Sequence, residues 1–365
     1  MRPEKDHNRL RVDRESLLRT LGYVSVGLGK QGFGNCFLFR KGIVCTYNED
    51  IAAYAKVPIR WTGAVSAREL LGVLEKWNCR FVTLLKEDGA LFVYGGSRSK
   101  VRLVLEDAQD AAEFDLAFGT DWQPVPAGFL DAIAAVEDAA ATGTDIDEGF
   151  TRCVHITPKA IEATDLTQYA RCRIRTPVQG SVCILRDSAK AIAHLGANEM
   201  CETSALLCFR NDAGVQVGIR KQEEEFPEGE GLIADIRDYP EYALPGDFLG
   251  ALSTSEIFAK GEDRKYVGVQ LTQGQMTMTA LNPMLGEIEE SRPMAGYDGP
   301  DLKFVCEVRL LRRLAEYGRM RVAPNGDLHR LVVADKGFVF MISTMEPEAA
   351  EPEYGDDDSM DEDED

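Results

Sequence analysis

Apolar and polar positions along this chain switch between two spacings. Stretches in which apolar residues fall three and four apart, as on one face of a helix, begin near Asp13, Ser66, Pro126, Val182, Pro245 and Cys306. Each gives way to segments where apolar and polar residues alternate, broken by Gly, Asn or Asp turns, the mark of half-buried strands. The unit recurs six times at roughly 50 to 60 residues, and repeats of that size cannot bury their apolar faces singly. The expected class is α+β. Six fused units let sheets run on from one to the next with the helices together on one side, an arc that a second copy closes into a ring.

The first pair of units predicts a helix over about Asp13–Leu21, strands in Asn35–Phe39, Ile43–Tyr47 and Ala52–Ile59, a second helix from Ser66, and strands at Phe81–Leu85, Leu91–Tyr94 and Val101–Leu105. Ser66 and Glu69 have the spacing of a capping box. The second pair predicts helices near Ala127–Glu137 and Val182–Leu195 with strands at Cys153–Ile156, Tyr169–Ile174 and Val215–Ile219, and a loop around Glu223–Glu225, Gly229 and Gly231. In the third pair, Val267–Leu271, Gln275–Thr279, Leu331–Val333 and Phe338–Ile342 read as strands.

Composition narrows the class. A chain of 365 residues is too long for one ordinary core, so two or three domains are expected, and three pairs of repeats fit. No apolar run reaches the length of a membrane span, and Met1–Asp6 carries no secretory signal. The nine cysteines form no C-x-x-C pair and sit in apolar strand-like contexts, which points to buried reduced thiols and a cytoplasmic setting. His7, His155, His194 and His329 are scattered, so no metal is assigned, and no cofactor. The net charge is −20, but twelve carboxylates crowd residues 346–365 with no Lys or Arg, which leaves −8 on the body. That tail is expected to be disordered.

Catalytic motifs are absent. Gly27, Gly29 and Gly32 match the dinucleotide-binding spacing with Glu49 downstream, but that fingerprint needs a helix directly after the glycines, and Asn35–Phe39 is strand-like. A loop is the better reading. Thr164 and Asp165 read as a turn in which Asp165 bonds local amides. The chain offers no convincing active site.

Basic residues on helical faces are more telling. Opposite the buried stripe of Val308, Leu311 and Leu314, the side chains of Arg309, Arg312 and Arg313 share one face. Arg186 and Lys190 are one turn apart, Arg14 and Arg19 belong to the first helix, Arg68 and Lys76 to the second, and Lys260, Arg264 and Lys265 follow the fifth. Helices of this kind lining one concavity supply phosphate contacts without base readout. The third helix departs, with Asp131, Glu137 and Asp138 and no cation.

Three segments carry a family resemblance. Val154–Cys172 resembles the strand, Ala-Thr-Asp turn and strand in the middle domain of the bacterial DNA polymerase III beta clamp. Tyr239–Tyr242, followed by Leu244 and Pro245, resembles the segment leading into that clamp's third domain, and Phe338–Ile342 resembles its final strand. The likeness covers about residues 10–345. It departs where Leu166–Tyr169 replaces the usual Gly-His-Arg-Leu run and where the acidic tail follows the last strand.

The resemblance implies a DNA clamp fold of three domains, residues 1–118, 119–237 and 238–345, each of two β-α-β-β-β-type repeats, then the acidic tail at 346–365. It implies a homodimeric ring in a bacterial cell, nucleoid-associated, encoded by bacterium or phage. The ring would encircle double-stranded DNA without sequence preference and tether a DNA polymerase, with a clamp loader as a further partner. Membrane partners and catalysis are not expected. DNA contacts are then expected at Arg14, Arg19, Arg68, Lys76, Arg186, Lys190, Arg309, Arg312 and Arg313. The family's hydrophobic peptide cleft carries over to Thr164, Leu166, Tyr169, Leu244, Pro245, Met341 and Ile342. The alternatives are a clamp-fold scaffold or decoy that binds replication proteins without sliding, and an enzyme on an unrelated repeated fold with a ligand near Gly27–Gly32.

Overall fold

The computed structural model describes residues 8–29, 32–96, 98–106, 118–143, 148–259, 264–326 and 328–347. One pattern repeats six times: a strand, a helix and three strands. The first repeat is β1 (Arg9–Asp13), α1 (Arg14–Val24), β2 (Cys36–Arg40), β3 (Ile43–Tyr47) and β4 (Ile51–Lys56). The second is β5 (Gly63–Ser66), α2 (Ala67–Lys76), β6 (Phe81–Glu87), β7 (Ala90–Gly95) and β8 (Ser99–Val104). The third runs β9 (Gln123–Pro124), α3 (Phe129–Val136), β10 (Cys153–Ile156), β11 (Ala160–Thr164) and β12 (Gln168–Arg173). The fourth holds β13 (Val182–Leu185), α4 (Arg186–Ala193), β14 (Ala197–Glu202), β15 (Leu206–Asn211) and β16 (Gln216–Arg220). The fifth is β17 (Glu241–Ala243), α5 (Phe248–Phe258), β18 (Tyr266–Thr272), β19 (Gln275–Asn282) and β20 (Gly286–Pro293). The sixth is β21 (Leu302–Glu307), α6 (Val308–Ala315), β22 (Arg319–Asn325), β23 (Leu328–Asp335) and β24 (Phe338–Ser343).

The chain packs as two units: residues up to Ala163 with Arg173–Phe226, and Thr164–Cys172 with residues from Pro227 on. In the first unit the leading strands are exchanged between sister repeats. β1 joins β6-β7-β8, while β5 joins β2-β3-β4. That second sheet continues through β16-β15-β14-β9, so one sheet runs from the first pair of repeats into the next by β4 pairing with β16. β13 likewise joins β10-β11. The second unit repeats the exchange, with β12-β24-β23-β22-β17 in one sheet and β20-β19-β18-β21 in the other. Because each exchanged strand completes the other repeat's sheet, neither repeat closes its hydrogen bonds alone. The helices pack in sister pairs, α1 on α2, α3 on α4 and α5 on α6.

Apolar stripes of these helices face strands that are buried along their length. Cys36–Phe39 of β2 are all buried, and Phe37, Phe39, Leu70, Leu74, Phe129, Phe209, Phe304 and Phe340 are sealed from solvent. In α6 the inward residues are Val308, Leu310, Leu311 and Leu314. The cysteines are unpaired thiols, six of them buried. Burial pushes Cys45 and Cys172 up to about 11 and Cys208 and Cys306 up to about 12, which keeps them protonated at neutral pH. No helix among the described residues is long and apolar enough to cross a membrane.

Several boundaries move. The helix expected from Val182 starts at Arg186, because Val182–Leu185 pairs with Cys153–Ile156 as a strand. The sixth helix starts at Val308, after Cys306 and Glu307 finish β21. At Ser66 the hydroxyl meets the Glu69 carboxylate itself rather than a backbone amide, and this bond, the largest cause, draws the Glu69 carboxyl below its usual value. Asp13 is the side chain that caps, accepting from the Ser16 amide at 2.9 Å to start α1. Gly27 precedes extended Leu28, and among the described residues the next long element is the strand Cys36–Arg40. A Cβ at Gly27 would lie 2.9 Å from the Thr46 carbonyl oxygen, so close packing accounts for that glycine. The Glu223–Glu225 loop is as expected. The tail beyond Pro347, and Lys260, lie outside the described residues.

Candidate functional site

The nine expected DNA contacts divide by what holds them. Arg14 donates from Nε to the Cys79 carbonyl at 2.9 Å and from Nη1 to the Leu74 carbonyl at 2.8 Å, so it ties α1 to the C-terminal end of α2. Helix-end carbonyls need such partners. Arg14→Ala is therefore expected to lower the unfolding free energy by about 1–3 kcal/mol, read from urea denaturation, as it strands two half-buried acceptors. Arg186 is claimed by Glu137 at 3.2 Å and by Asp138. This explains the acidic third helix, whose end neutralises the cation of the fourth. Arg313 lies 4.4 Å over the Phe340 ring and donates to Gln168 Oε1 at 3.3 Å.

Arg309 and Arg312 remain half exposed while pairing with acids, Arg309 with Glu307 at 2.8 Å and Asp165 at 3.6 Å, Arg312 with Glu256 of α5 at 2.7 Å. Arg19, Arg68, Lys76 and Lys190 are exposed on α1, α2 and α4. The full cationic reach toward solvent therefore belongs to these four, with Arg309 and Arg312 after them.

The peptide-site residues fall in the second unit. Their centre is the turn from Thr164 to Gln168. Asp165 Oδ1 accepts from the Thr167 amide at 3.0 Å, the Thr167 hydroxyl at 2.7 Å and the Gln168 amide at 2.9 Å, while Oδ2 accepts from Gln168 Nε2 at 2.9 Å. Thr164 Oγ1 donates to the Gln168 carbonyl at 2.7 Å and accepts from the Leu166 amide at 3.0 Å. Together these bonds force Leu166 to φ +70°, and its side chain is 57% exposed. An apolar residue held out in left-handed backbone is strain of the kind found at binding sites. Leu166→Gly is expected to stabilise the fold by up to about 1 kcal/mol, since left-handed strain of about 1–2 kcal/mol outweighs the added chain entropy of glycine. The midpoint of a urea melt checks it.

After the turn, Tyr169 lies opposite Met341 and Gln168 opposite Ile342. Leu244 donates its amide to the Gly318 carbonyl at 3.0 Å and the Pro245 carbonyl accepts from the Phe248 amide at the start of α5, which puts both just after β17, separated from β12 by three strands of the same sheet. The structure thus gathers Thr164, Leu166, Tyr169, Met341 and Ile342 and sets Leu244 and Pro245 at the opposite edge. Tyr169, Met341 and Ile342 are 2%, 5% and 0% exposed.

What covers Tyr169 and Met341 is not legible in the local sequence. Arg171, Met341, Arg330 and Arg321 share the sheet face of Tyr169, as the registers Tyr169↔Met341, Met341↔Val332 and Val332↔Arg321 require. The segment 229–239 crosses that face. Gly229 lies against the Tyr169 hydroxyl, Arg171 pairs with Glu230 at 3.0 Å, and Arg330 donates to the Leu232 carbonyl at 2.7 Å and lies 3.8 Å from Asp235. Arg321 holds the Tyr239 carbonyl. Three arginines strap the segment down, with Ile236 buried beneath. The only signal in the sequence was the alternation of Tyr169 with Arg171, which puts a cation on the apolar face.

Comparison with solved structures extends this geometry over the chain. DNA polymerase III subunit beta from Pseudomonas aeruginosa is similar with a TM-score of 0.73 at 16% identity, covering 93% of this chain and 100% of that one. The DNA polymerase sliding clamp from Bacillus subtilis matches at 0.74 and 14% identity, covering 92% and 98%. The DNA polymerase III beta subunit from Thermotoga maritima matches at 0.75 and 16%, covering 92% and 99%. At these identities the likeness is one of fold, and the chain has the fold of bacterial sliding clamps. No protein-family model matches the sequence, and no curated protein sequence is significantly similar to it.

Proposed function

We propose that this protein is a DNA sliding clamp and processivity factor, a homodimeric ring that encircles duplex DNA and tethers a DNA polymerase. The observation that carries the proposal is the sixfold strand-helix-three-strand repeat with its helices in sister pairs, over which the chain matches known clamps. On this reading the chain holds three domains, residues 1–118, 119–237 and 238–345, and a clamp loader opens the ring. Retention is topological, so weak phosphate contacts from Arg19, Arg68, Lys76, Lys190, Arg309 and Arg312 suffice and leave the ring free to slide. Processivity then comes from effective concentration, and the clamp makes or breaks no bond in that role.

Two sheet edges suit ring closure. β8 ends its sheet with exposed Lys100, Arg102 and Val104, and β20 ends its own with exposed Glu287 and Glu289. Open edges invite strand pairing with another chain, and opposite charge selects a heterologous contact. Partner peptides dock at Leu166 and, once segment 229–239 yields, at Tyr169 and Met341. Leu166→Gly accordingly weakens peptide binding while it stabilises the fold.

The test is retention on nicked circular DNA after loading. Protein that co-elutes with the circle and is lost when the circle is cut supports encirclement. Equal occupancy of cut and uncut DNA contradicts it. The internal pairing of Arg14, Arg186 and Arg313 favours the second reading, a clamp-fold scaffold that does not slide. Deleting residues 346–365 separates the two: a slider keeps or gains DNA association, whereas a scaffold relying on its acidic tail loses its partner.

A further inference from the structure

We propose that Ser181 is an activated nucleophile, a hydroxyl poised by His155 and Glu162 to take an acyl group from a small activated ester. The proposal is independent of the clamp reading. It starts from register: β10 lies between β11 and β13, with His155 opposite Glu162 on one side and Cys183 on the other. Cross-strand partners share a face, and Ser181, two residues before Cys183, shares it too.

The three side chains connect in order. His155 Nδ1 lies 2.9 Å from Glu162 Oε1, and His155 Nε2 lies 2.7 Å from Ser181 Oγ. A carboxylate only accepts, which assigns the imidazole proton to Nδ1 and leaves the Nε2 lone pair to accept from the serine hydroxyl. That tautomer is the one a general base requires, with the carboxylate fixing the ring. Phe226 stacks on the imidazole, centroids 4.6 Å apart at 19°.

Burial runs in the direction chemistry needs. His155 and Glu162 are 7% and 4% exposed, while Ser181 is exposed. A buried His-Glu pair alone would be ordinary core satisfaction, but satisfaction does not call for a third member at the surface. Gly180, at φ +103°, turns the chain immediately before the serine. Ser181 lies open to solvent, so the donor is an ester whose reactivity comes from its leaving group.

In the reaction Ser181 Oγ attacks the ester carbonyl carbon while its proton passes to His155 Nε2. The new Oγ–C bond forms, the bond to the leaving oxygen breaks, and that oxygen takes the proton from the imidazolium. Glu162 is a positioning residue. The titratable groups around the imidazole are Glu162 on β11, Cys153 on its own strand, Cys183 on β13 and Glu224 in the covering loop.

Full-length protein treated with p-nitrophenyl acetate tests this by nitrophenol release, intact mass and peptide mapping. The expected result is a stoichiometric burst with one acetyl group on Ser181. Ser181→Ala, a surface change, removes burst and adduct, and Glu162→Gln slows the burst at least about tenfold. Should Glu162→Gln fail to fold, Ser181→Ala decides. Acetyl groups on lysines alone, an undiminished burst in Ser181→Ala, or equal labelling of Ser181 in urea would overturn the proposal and leave a hydrogen-bond network only.

Discussion

Arg19→Glu, Arg68→Glu, Lys76→Glu and Lys190→Glu in one chain are expected to abolish direct, unloaded association with duplex DNA at moderate salt while leaving folding and assembly intact. All four side chains are exposed on helices, and no fold contact described for the site depends on them. Each phosphate contact contributes about 0.9 to the slope of log affinity against log salt, so losing four lowers that slope by between about 3 and 4. Between about 50 and 200 mM salt this corresponds to roughly 10²-fold in affinity. Reversal at Arg14 or Arg186 is a different experiment. There glutamate breaks the Leu74 and Cys79 carbonyl contacts or faces Glu137 and Asp138, and the loss appears first in stability. An unchanged salt slope in the fourfold variant, measured by fluorescence anisotropy with duplex DNA, would remove the helices from the DNA-contacting role.

The second large effect is on assembly. If the proposed ring closes through β8 and β20, Lys100→Glu with Arg102→Glu is expected to turn the dimer into a monomer, because the acidic edge at Glu287 and Glu289 would then meet like charge. Single cross-strand charge pairs contribute only about 0.2–1 kcal/mol. Converting two attractions to repulsions doubles the swing and weakens the dimer on the order of 10²-fold. Glu287→Lys with Glu289→Lys in the same chain should restore it. Sedimentation at several concentrations reads both outcomes. A double variant that stays dimeric places the interface elsewhere.

How much was legible follows from locality. Ile43–Tyr47 and Cys153–Ile156 are strands with the bounds their alternation implies, because each is a short apolar run between turn residues. All six helices are where their apolar spacing puts them, within a few residues. Val182–Leu185 misled because an apolar strand flows without a break into an amphipathic helix, and only its pairing with β10 separates them. β20 was invisible for the opposite reason: Glu287–Arg292 is mostly charged, tolerable in a strand that pairs on one side only. The exchange of leading strands joins residues more than sixty positions apart in β1 and β6, and no local period records it.

The same limit governed the sites. Sharing of a helix face showed which cations lie together, but not that Glu137 and Asp138 from another helix would claim Arg186. The Asp165 turn was readable because its bonds are local, whereas the strap at 229–239 depends on arginines up to ninety-eight residues away. Ser181, His155 and Glu162 come together only through the order β11-β10-β13. A hairpin register pairing His155 with Glu162 would have shown half of that arrangement.

A sliding clamp of this fold requires two copies of the chain to close a ring around DNA. Negative-stain electron microscopy of the full-length protein, with its mass in solution taken on the same sample, tests it most directly. Two-subunit closed rings with a hole wide enough for a duplex are expected. Monomers or open arcs at every concentration would contradict it.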